Sequence, residues 1–508
     1  MAALVVSGAS AADFAAELAG RRVCVAGLGV SGPPAARVLA ERGAVVTAVD
    51  GRDDAERQRL AEVLAGHGVR VRLGQSAAAA LPAGTDLVVT SPGWQPGAPL
   101  LAAAAKAGVE VMGDVELAWR LRPALEDGSR QRWLAVTGTN GKTTTVRMLA
   151  LMLTAAGYRA VEAGNVGTSL ADVVTRPEPY EVVAVELSSF QLHWSSTIVP
   201  YAAAVLNVAA HHLDWHGTME AYAADKAKIF APGTLAIGNA DDPRSAAMVE
   251  QAARAPSPGW SDQRRTVLFR LGEPGPNELG VAGGFLVDRA FGERGQPGEQ
   301  DQPGERLAAV SDLAAGHGAA RSAPPHVIAN ALAAAALARA YGAAPSAVSA
   351  GLRGFRPDPH RITVVASVGG VEYVDDSKAT NPHAAAASLA AYEHVVWVAG
   401  GQLKGAAGDL DDLAGSAARR LRGAVVFGAD RDKIAAALAR HAPQVPVILV
   451  SGTDTGTMDI VVKAAADLAE PGDTVLLAPA AQSFDMFRDY PARGEAFAAA
   501  VTRLADAR

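Results

Sequence analysis

The sequence predicts an α/β fold of three domains in series, and three observations carry the prediction. The chain has 508 residues and a mass of 51.9 kDa, which at roughly 150 residues per domain makes about three domains. Short apolar bursts alternate with Ala-rich stretches at the spacing of strand and helix units, the pattern of a parallel sheet covered on both faces. Two Gly-rich loops, each between a strand and a helix, restart that pattern inside the chain.

In the first unit, RRVCVAGLGVSG from Arg21 reads as a strand and a Gly-rich turn, and PPAARVLAERG as a helix opened by Pro33 and Pro34, where a missing N–H costs least. AVVTAVD is a second strand ending at Asp50, and the bursts at 86–90 and 109–112 continue the alternation to about residue 120. The polar stretch PALEDGSRQR then yields to WLAVTGTNGKTTT, a new strand running into a Gly-rich loop and a helix. Later strands are expected at 182–188 and 202–208, with a short hairpin at 280–288. Residues 292–307, rich in Gly, Pro and charge, read as a flexible surface insertion. A third unit follows GLRGFRPDPHR, with strands near 363–375, 395–401, 423–429, 446–450 and 474–479.

Composition narrows the function. At 49% hydrophobic and 19% charged residues the chain is globular. With 46 basic against 53 acidic residues its net charge is −7, so it lacks the basic field of a nucleic-acid binder. The single Cys24 builds no disulfide framework and is expected as a small buried residue in a strand. The N-terminus lacks the charge-then-apolar order of a signal peptide, and no uncharged apolar run reaches the ~18 residues of a membrane span. A cytoplasmic protein is expected. Lysine occurs only 8 times against 38 arginines; a retained lysine marks positions that need a compact charge or a titratable amine.

One such position is in Gly138-Thr139-Asn140-Gly141-Lys142-Thr143-Thr144. The backbone N–H groups of a loop opening a helix cradle phosphates, Lys142 suits the outer phosphates and the Thr143 hydroxyl suits Mg²⁺. Val136 stands where the usual P-loop pattern has glycine, so this is a variant of it. Glu186 ends a strand where a carboxylate can face the metal of such a loop. The first unit holds Gly27-Leu28-Gly29-Val30-Ser31-Gly32, with Asp50 closing the next strand. On spacing alone that is a dinucleotide fingerprint, which points first to NAD and makes an oxidoreductase the main rival reading.

VTGTNGKTTT, VELSSFQL, NVAAHHLDWH, YAADKAKIF, PHR and DDSKATN, in this order, resemble the Mur ligases of peptidoglycan synthesis. The resemblance covers the chain except the 292–307 insertion. It implies a Rossmann-like N-terminal domain (1–128) that binds the uridine diphosphate of the substrate, a P-loop ATPase-like central domain (129–355) and a Rossmann-like C-terminal domain (356–508). It implies an ATP-dependent ligase that adds D-glutamate to UDP-N-acetylmuramoyl-L-alanine through an acyl phosphate, acting as a monomer on small-molecule substrates. A sister ligase adding another amino acid remains the nearest alternative.

Residue by residue, the resemblance places Gly29, Val30, Ser31, Asp50, Arg52, Ser91, Gly93 and Asn165 on the UDP substrate. It places Asn330, Arg361, Asp376 and Lys378 on ATP beside the P-loop, with Lys378 lying between the nucleotide and amino-acid sites. For D-glutamate it implies Thr380, Lys404, Ser483, Phe484 and Tyr490, the last two being departures from the commonest family choices. It implies two Mg²⁺ ions, one held by Thr143 and Glu186, the other by His212 and Lys226, the lysine carrying a CO₂-derived carbamate. Lys142, Glu186, His212 and Lys226 are thus the expected catalytic set. His211, His216 and Lys228 are expected at the surface or behind the site. His326-Val327 replaces the frequent His-Asn, so one adenine contact is expected to be lost. The base that deprotonates the incoming amine stays open, with His212 a candidate.

Overall fold

A computed structural model describes residues 11–254, 266–291, 304–313, 323–403, 407–452, 454 and 456–507. Five parallel strands form the first sheet: β1 (Arg22–Ala26), β2 (Val45–Asp50), β3 (Arg70–Leu73), β4 (Leu87–Thr90) and β5 (Glu110–Gly113), in the order 3-2-1-4-5. Helices cover both faces, so β1 and β4 are apolar without alternation, as strands buried on both sides must be. Cys24 is one of these fully buried strand residues, and burial pushes its thiol up to about 12.

The second sheet has nine strands: β6 (Arg132–Thr137), β7 (Ala160–Gly164), β8 (Val182–Glu186), β9 (Ala202–Val205), β10 (Leu235–Asn239), β11 (Thr266–Phe269), β12 (Glu278–Ala282), β13 (Phe285–Asp288) and β14 (Glu305–Ala309). Their order is 14-13-12-11-10-9-6-8-7. The last three form an antiparallel meander, which contains the expected hairpin. The segment read as an insertion overlaps β14, so residues 305–307 are sheet edge, and residues 292–303 lie outside the described residues. Arg339 fixes that edge through Asp288 at 2.8 Å and Glu305 at 2.5 Å. The Ala-rich run beyond residue 325 is the helix Pro325–Ala340, buried from Asn330 to Ala338 and apolar all round because it packs inside the core. No helix among the described residues is long and apolar enough to cross a membrane.

The third sheet comprises β15 (Thr363–Val368), β16 (Val371–Asp375), β17 (Val395–Gly400), β18 (Leu421–Phe427), β19 (Val447–Leu449) and β20 (Thr474–Leu477), in the order 15-16-20-17-18-19. The stretch expected as one strand over 363–375 is an antiparallel pair that turns at Gly369-Gly370, and the rest is parallel.

The first two sheets share a core that runs from Leu18 and Val25 through Trp119 to Trp133 and Val185, with Trp119 and Trp133 edge-on at 5.2 Å. Glu116, fully buried, ties them further. It accepts the backbone N–H groups of Ser196 (2.9 Å) and Thr197 (3.1 Å) and the Thr197 hydroxyl, while Arg120 pairs with it at 2.9 Å. Removing one partner of such a buried pair costs about 3–5 kcal/mol.

Candidate active site

The strand β6 delivers the chain into the loop 138–141, and the helix Lys142–Ala155 leaves it. Gly141 has φ +86°, and a methyl group there would collide with the Asn330 side chain, so the position excludes other residues on two grounds. Lys142 curls over the loop, its Nζ donating to the carbonyls of Gly138 (2.9 Å) and Thr139 (3.0 Å). Burial lowers its pKa, Glu186 opposes that, and Arg361 and Lys378 add to it. Asn207 Oδ1 accepts the Asn140 N–H at 2.9 Å, and the Thr139 hydroxyl meets that of Tyr222 at 3.0 Å.

Glu186, 2% exposed, ends β8 and accepts from Asn165 Nδ2 at 3.0 Å through Oε1, while Oε2 is buried without a hydrogen-bond partner among the described residues. Lys226, 1% exposed on the helix Met219–Ala227, donates to Gly138 O at 2.9 Å and lies 4.7 Å above the Tyr222 ring. Burial and the neighbouring Lys142 hold its pKa well below the ordinary lysine value against the pull of Glu186. His212 takes a left-handed conformation (φ 56°) with its ring against Phe190 and His211. Burial is the first cause that brings its pKa down to about 4, with Lys142, His216 and Lys226 adding and Asp214 opposing.

A cavity of about 310 Å³ opens between this loop and the third domain. Thr139 to Thr144, Asn165, Glu186 and Asn330 line it from the central domain, Arg361, Asp376, Lys378 and Thr380 from the C-terminal one. Thr380, expected with the amino-acid residues, therefore shares the nucleotide-side cavity. His211, expected at the surface or behind the site, faces it, and His212 does not. His326 and Val327 also line it. Arg361 is half-buried with Nε 3.7 Å from Asp358 Oδ2, and burial lowers its pKa. Burial pushes Asp376 up to about 7 against a hydrogen bond from Ser388 and the charge of Arg361. Asn140 bridges the two domains, meeting His383 Nδ1 at 2.9 Å and accepting from Asn381 Nδ2 at 3.2 Å, and Arg147 pairs with Asp358.

A second cavity, about 370 Å³, is lined by Thr143, Arg147, His360, Lys378 and Tyr490 among others. Lys378 Nζ donates to the Tyr490 hydroxyl at 2.7 Å. Ser483 is buried and Phe484 is 65% exposed, and neither lines either cavity. Lys404 lies outside the described residues. Arg493, unremarked in the sequence, is fully buried and donates to the Ser377 side chain (3.0 Å) and carbonyl (2.9 Å), which fixes the turn that presents Lys378.

In the first domain Asp50 accepts the Leu28 N–H at 2.7 Å and the Arg52 N–H at 2.9 Å. Ser91 Oγ donates to Gly27 O at 3.2 Å, Val30 is 89% exposed, and Gly29 and Arg52 are open to solvent. Gly93 O accepts the Trp215 indole N–H at 3.3 Å from the central domain. Behind Ser31 stands Asp114, pushed up to about 6 by burial despite hydrogen bonds from Ser31 and Gln191. An acid opening a helix straight after a strand, GDVE, was its signal in the sequence.

Three family models match the chain in this same order. Residues 21–113 match the MurD-like N-terminal domain of Mur ligases, 136–262 the Mur ligase middle domain and 360–481 the glutamate ligase domain. The chain belongs to the Mur ligase family. Relatives named "UDP-N-acetylmuramoylalanine--D-glutamate ligase" include one from Thermobifida fusca, 57% identical over 96% of this chain and 100% of its own. Another, from Streptomyces avermitilis, is 56% identical over 96% of this chain and 98% of its own. Among solved Mur ligases, the UDP-N-acetylmuramate-alanine ligase of Thermotoga maritima superposes with a TM-score of 0.53 at 17% identity, covering 96% of this chain and 100% of that one. The D-alanyl-D-alanyl-adding ligase of Acinetobacter baumannii superposes with 0.54 at 14% identity, covering 99% and 100%. At those identities the likeness to solved structures is one of fold.

Proposed function

We propose that this Mur ligase uses ATP to join D-glutamate to UDP-N-acetylmuramoyl-L-alanine, in the cytoplasm, as a step of peptidoglycan precursor synthesis. The observation that carries the reading is the end-to-end likeness to relatives of that name, 57% identical over the whole length of one of them. The geometry supports it. Phosphorylation of the substrate carboxylate gives an acyl phosphate, and the amine of D-glutamate displaces phosphate from it. The nucleotide occupies the 310 Å³ cavity, where Lys142 exchanges its hold on two loop carbonyls for the outer phosphates and Arg361 brings a second positive charge. Mg²⁺ bound there would neutralise charge on the transferring phosphoryl group.

The residues present fit that metal. Glu186 brings a buried oxygen that has no hydrogen-bond partner among the described residues, and Thr143 stands on the same cavity wall. Among the described residues no three His, Cys, Asp or Glu side chains group to hold a metal by themselves, which suits an ion shared with phosphates. Lys226, whose pKa burial and Lys142 lower well below the ordinary lysine value, would in its neutral form add to CO₂ and lose a proton, leaving a carbamate. With neutral His212 that anion would serve a second ion. Asn330, Asp376 and Lys378 complete the nucleotide side. Tyr490, on the wall of the second cavity, supports a place for D-glutamate there, while Thr380 lies on the nucleotide side, Ser483 and Phe484 line neither cavity and Lys404 lies outside the described residues. Gly29, Val30, Ser31, Asp50, Arg52, Ser91, Gly93 and Asn165 would receive the UDP substrate. The three sheets support domain limits at 1–128, 129–355 and 356–508.

Phosphate release from ATP, measured with the UDP substrate and one amino acid at a time, tests the reading. Release is expected with D-glutamate and at background with L-glutamate, L-alanine or L-lysine. Release with a different amino acid alone would make the chain a sister ligase. NADH binding without ATP turnover would replace the ligase by an oxidoreductase.

A further inference from the structure

The second cavity shares Thr143, Val166 and Lys378 with the nucleotide cavity, so its inner end adjoins the loop where a phosphoryl group would be handed over. Most of the charged groups on its wall are committed to one another. Arg147 pairs with Glu162 at 3.1 Å and with Asp358, and Lys378 holds the Tyr490 hydroxyl. His360 differs. Its Nδ1 meets Asp375 Oδ2 at 2.6 Å, and Asp375, 3% exposed, is itself held by the Ser377 N–H on Oδ1 at 2.8 Å. A carboxylate against Nδ1 keeps the proton there and leaves the lone pair on Nε2. Nε2 makes no hydrogen bond among the described residues, on a side chain that lines the cavity.

The fold makes room for this pair at some expense. A methyl group at Gly494, on the helix Tyr490–Asp506, would collide with His360 Nδ1 and stand 2.6 Å from Asp375 Oδ2. His360 and Ile362 both have positive φ, 64° and 47°, conformations that L-residues hold only where the surroundings impose them. The His360 carbonyl also accepts the Lys378 N–H at 3.2 Å, which couples the imidazole to the segment between the two cavities.

We propose that His360, aligned by Asp375, is the general base that takes the proton from the amine of the incoming amino acid. This rests on the ligase reading and names the group which that reading leaves open. One proton passes from the α-ammonium to Nε2, and the freed lone pair forms a C–N bond to the acyl carbon. The C–O bond to phosphorus's oxygen then breaks and inorganic phosphate leaves. The nitrogen's second proton goes to water, as does the one on the imidazolium. Asp375 is a positioning residue in this scheme.

His212 is the poorer candidate because it lines neither cavity. The Asp375 hydrogen bond raises His360 above the ordinary histidine value, with Glu495 and Asp489 adding and burial opposing. Lys378 and Tyr490 stand beside it, and Arg147, Glu162 and Asp358 face it across the cavity.

The test uses the full chain with ATP and UDP-N-acetylmuramoyl-L-alanine, and compares D-glutamate with hydroxylamine, a nucleophile that is largely uncharged at neutral pH and needs no base. His360→Gln is expected to lower kcat with D-glutamate by about 10²- to 10⁴-fold, the usual worth of general-base catalysis, with hydroxamate formation near the wild-type rate. Asp375→Asn is expected to move the acid limb of the kcat profile to lower pH. Equal losses with both nucleophiles, a wild-type rate with D-glutamate in H360Q, or an unmoved acid limb in D375N would each overturn the proposal. Failure of the ligase reading would look different, since the wild-type chain would then make neither hydroxamate nor phosphate.

Discussion

The chain uses one backbone device twice, a strand running through a glycine loop into a helix, and the two copies differ in what charge surrounds them. In the first, the buried carboxylate of Asp50 accepts the Leu28 N–H, and the loop has no lysine. In the second, the loop's neighbours are the amides of Asn207 and Asn330, and Lys142, Lys226 and Arg361 crowd in around the carboxylate of Glu186. Aligned N–H groups favour an anion in both places. On the proposed reading, the resident carboxylate suits the first loop to the O–H and N–H donors of a uridine, and its free N–H groups to the diphosphate. The cationic surroundings suit the second to a triphosphate whose charge must be neutralised during transfer. Motif spacing alone does not distinguish the two, and the side chains around each loop do.

The sharpest way to break this contrast is to remove the lysine. Lys142→Ala should lower kcat about 10³-fold or more, since it removes a charge that acts on the transferring phosphoryl group, and should leave binding of the UDP substrate unchanged in calorimetry. Lys226→Ala should lower kcat about 10²-fold, and short carboxylic acids added to the assay should restore part of it. No rescue would count against a carbamate. Asp50→Ala should act on the other loop, raising the KM for the UDP substrate about tenfold, roughly 1.4 kcal/mol, with the KM for ATP unchanged.

The smallest effect is on stability. Asp376 titrates near 4 when unfolded and about 7 when folded, because burial disfavours its charge. Between those values the folded chain holds a proton that the unfolded chain has released, so stability falls as pH rises through that window. Asp376→Asn should therefore melt about 2–4 °C above wild type at pH 8 and equally near pH 4, while its KM for ATP rises. A lower melting point at pH 8 would show that the fold holds the charged carboxylate more firmly than the unfolded chain does.

The parallel strands were legible because burial on both faces makes them uninterrupted apolar runs, and the P-loop because Lys142 has no other reason to stand in a Gly and Thr turn. The stretch 363–375 was not. Its strand character hides a reversal at Gly369-Gly370, where both glycines take positive φ, as a two-residue hairpin turn needs. Which of two adjacent histidines faces the cavity depends on the left-handed backbone at His212, which periodicity does not encode. Thr380, Ser483 and Phe484 sit on turns whose direction is set by contacts distant in sequence, such as Arg493 on Ser377. His360 and Asp375 lie 15 residues apart and meet only because β15 and β16 fold back on each other.

Simultaneous binding is the most direct measure of whether one chain carries two loops for two ligands. Calorimetric titration of the wild-type chain with UDP-N-acetylmuramoyl-L-alanine, with and without a saturating non-hydrolysable ATP analogue and Mg²⁺, should give one UDP substrate per chain in both cases. Displacement of the UDP substrate by the analogue, or no binding of it at all, would contradict the account.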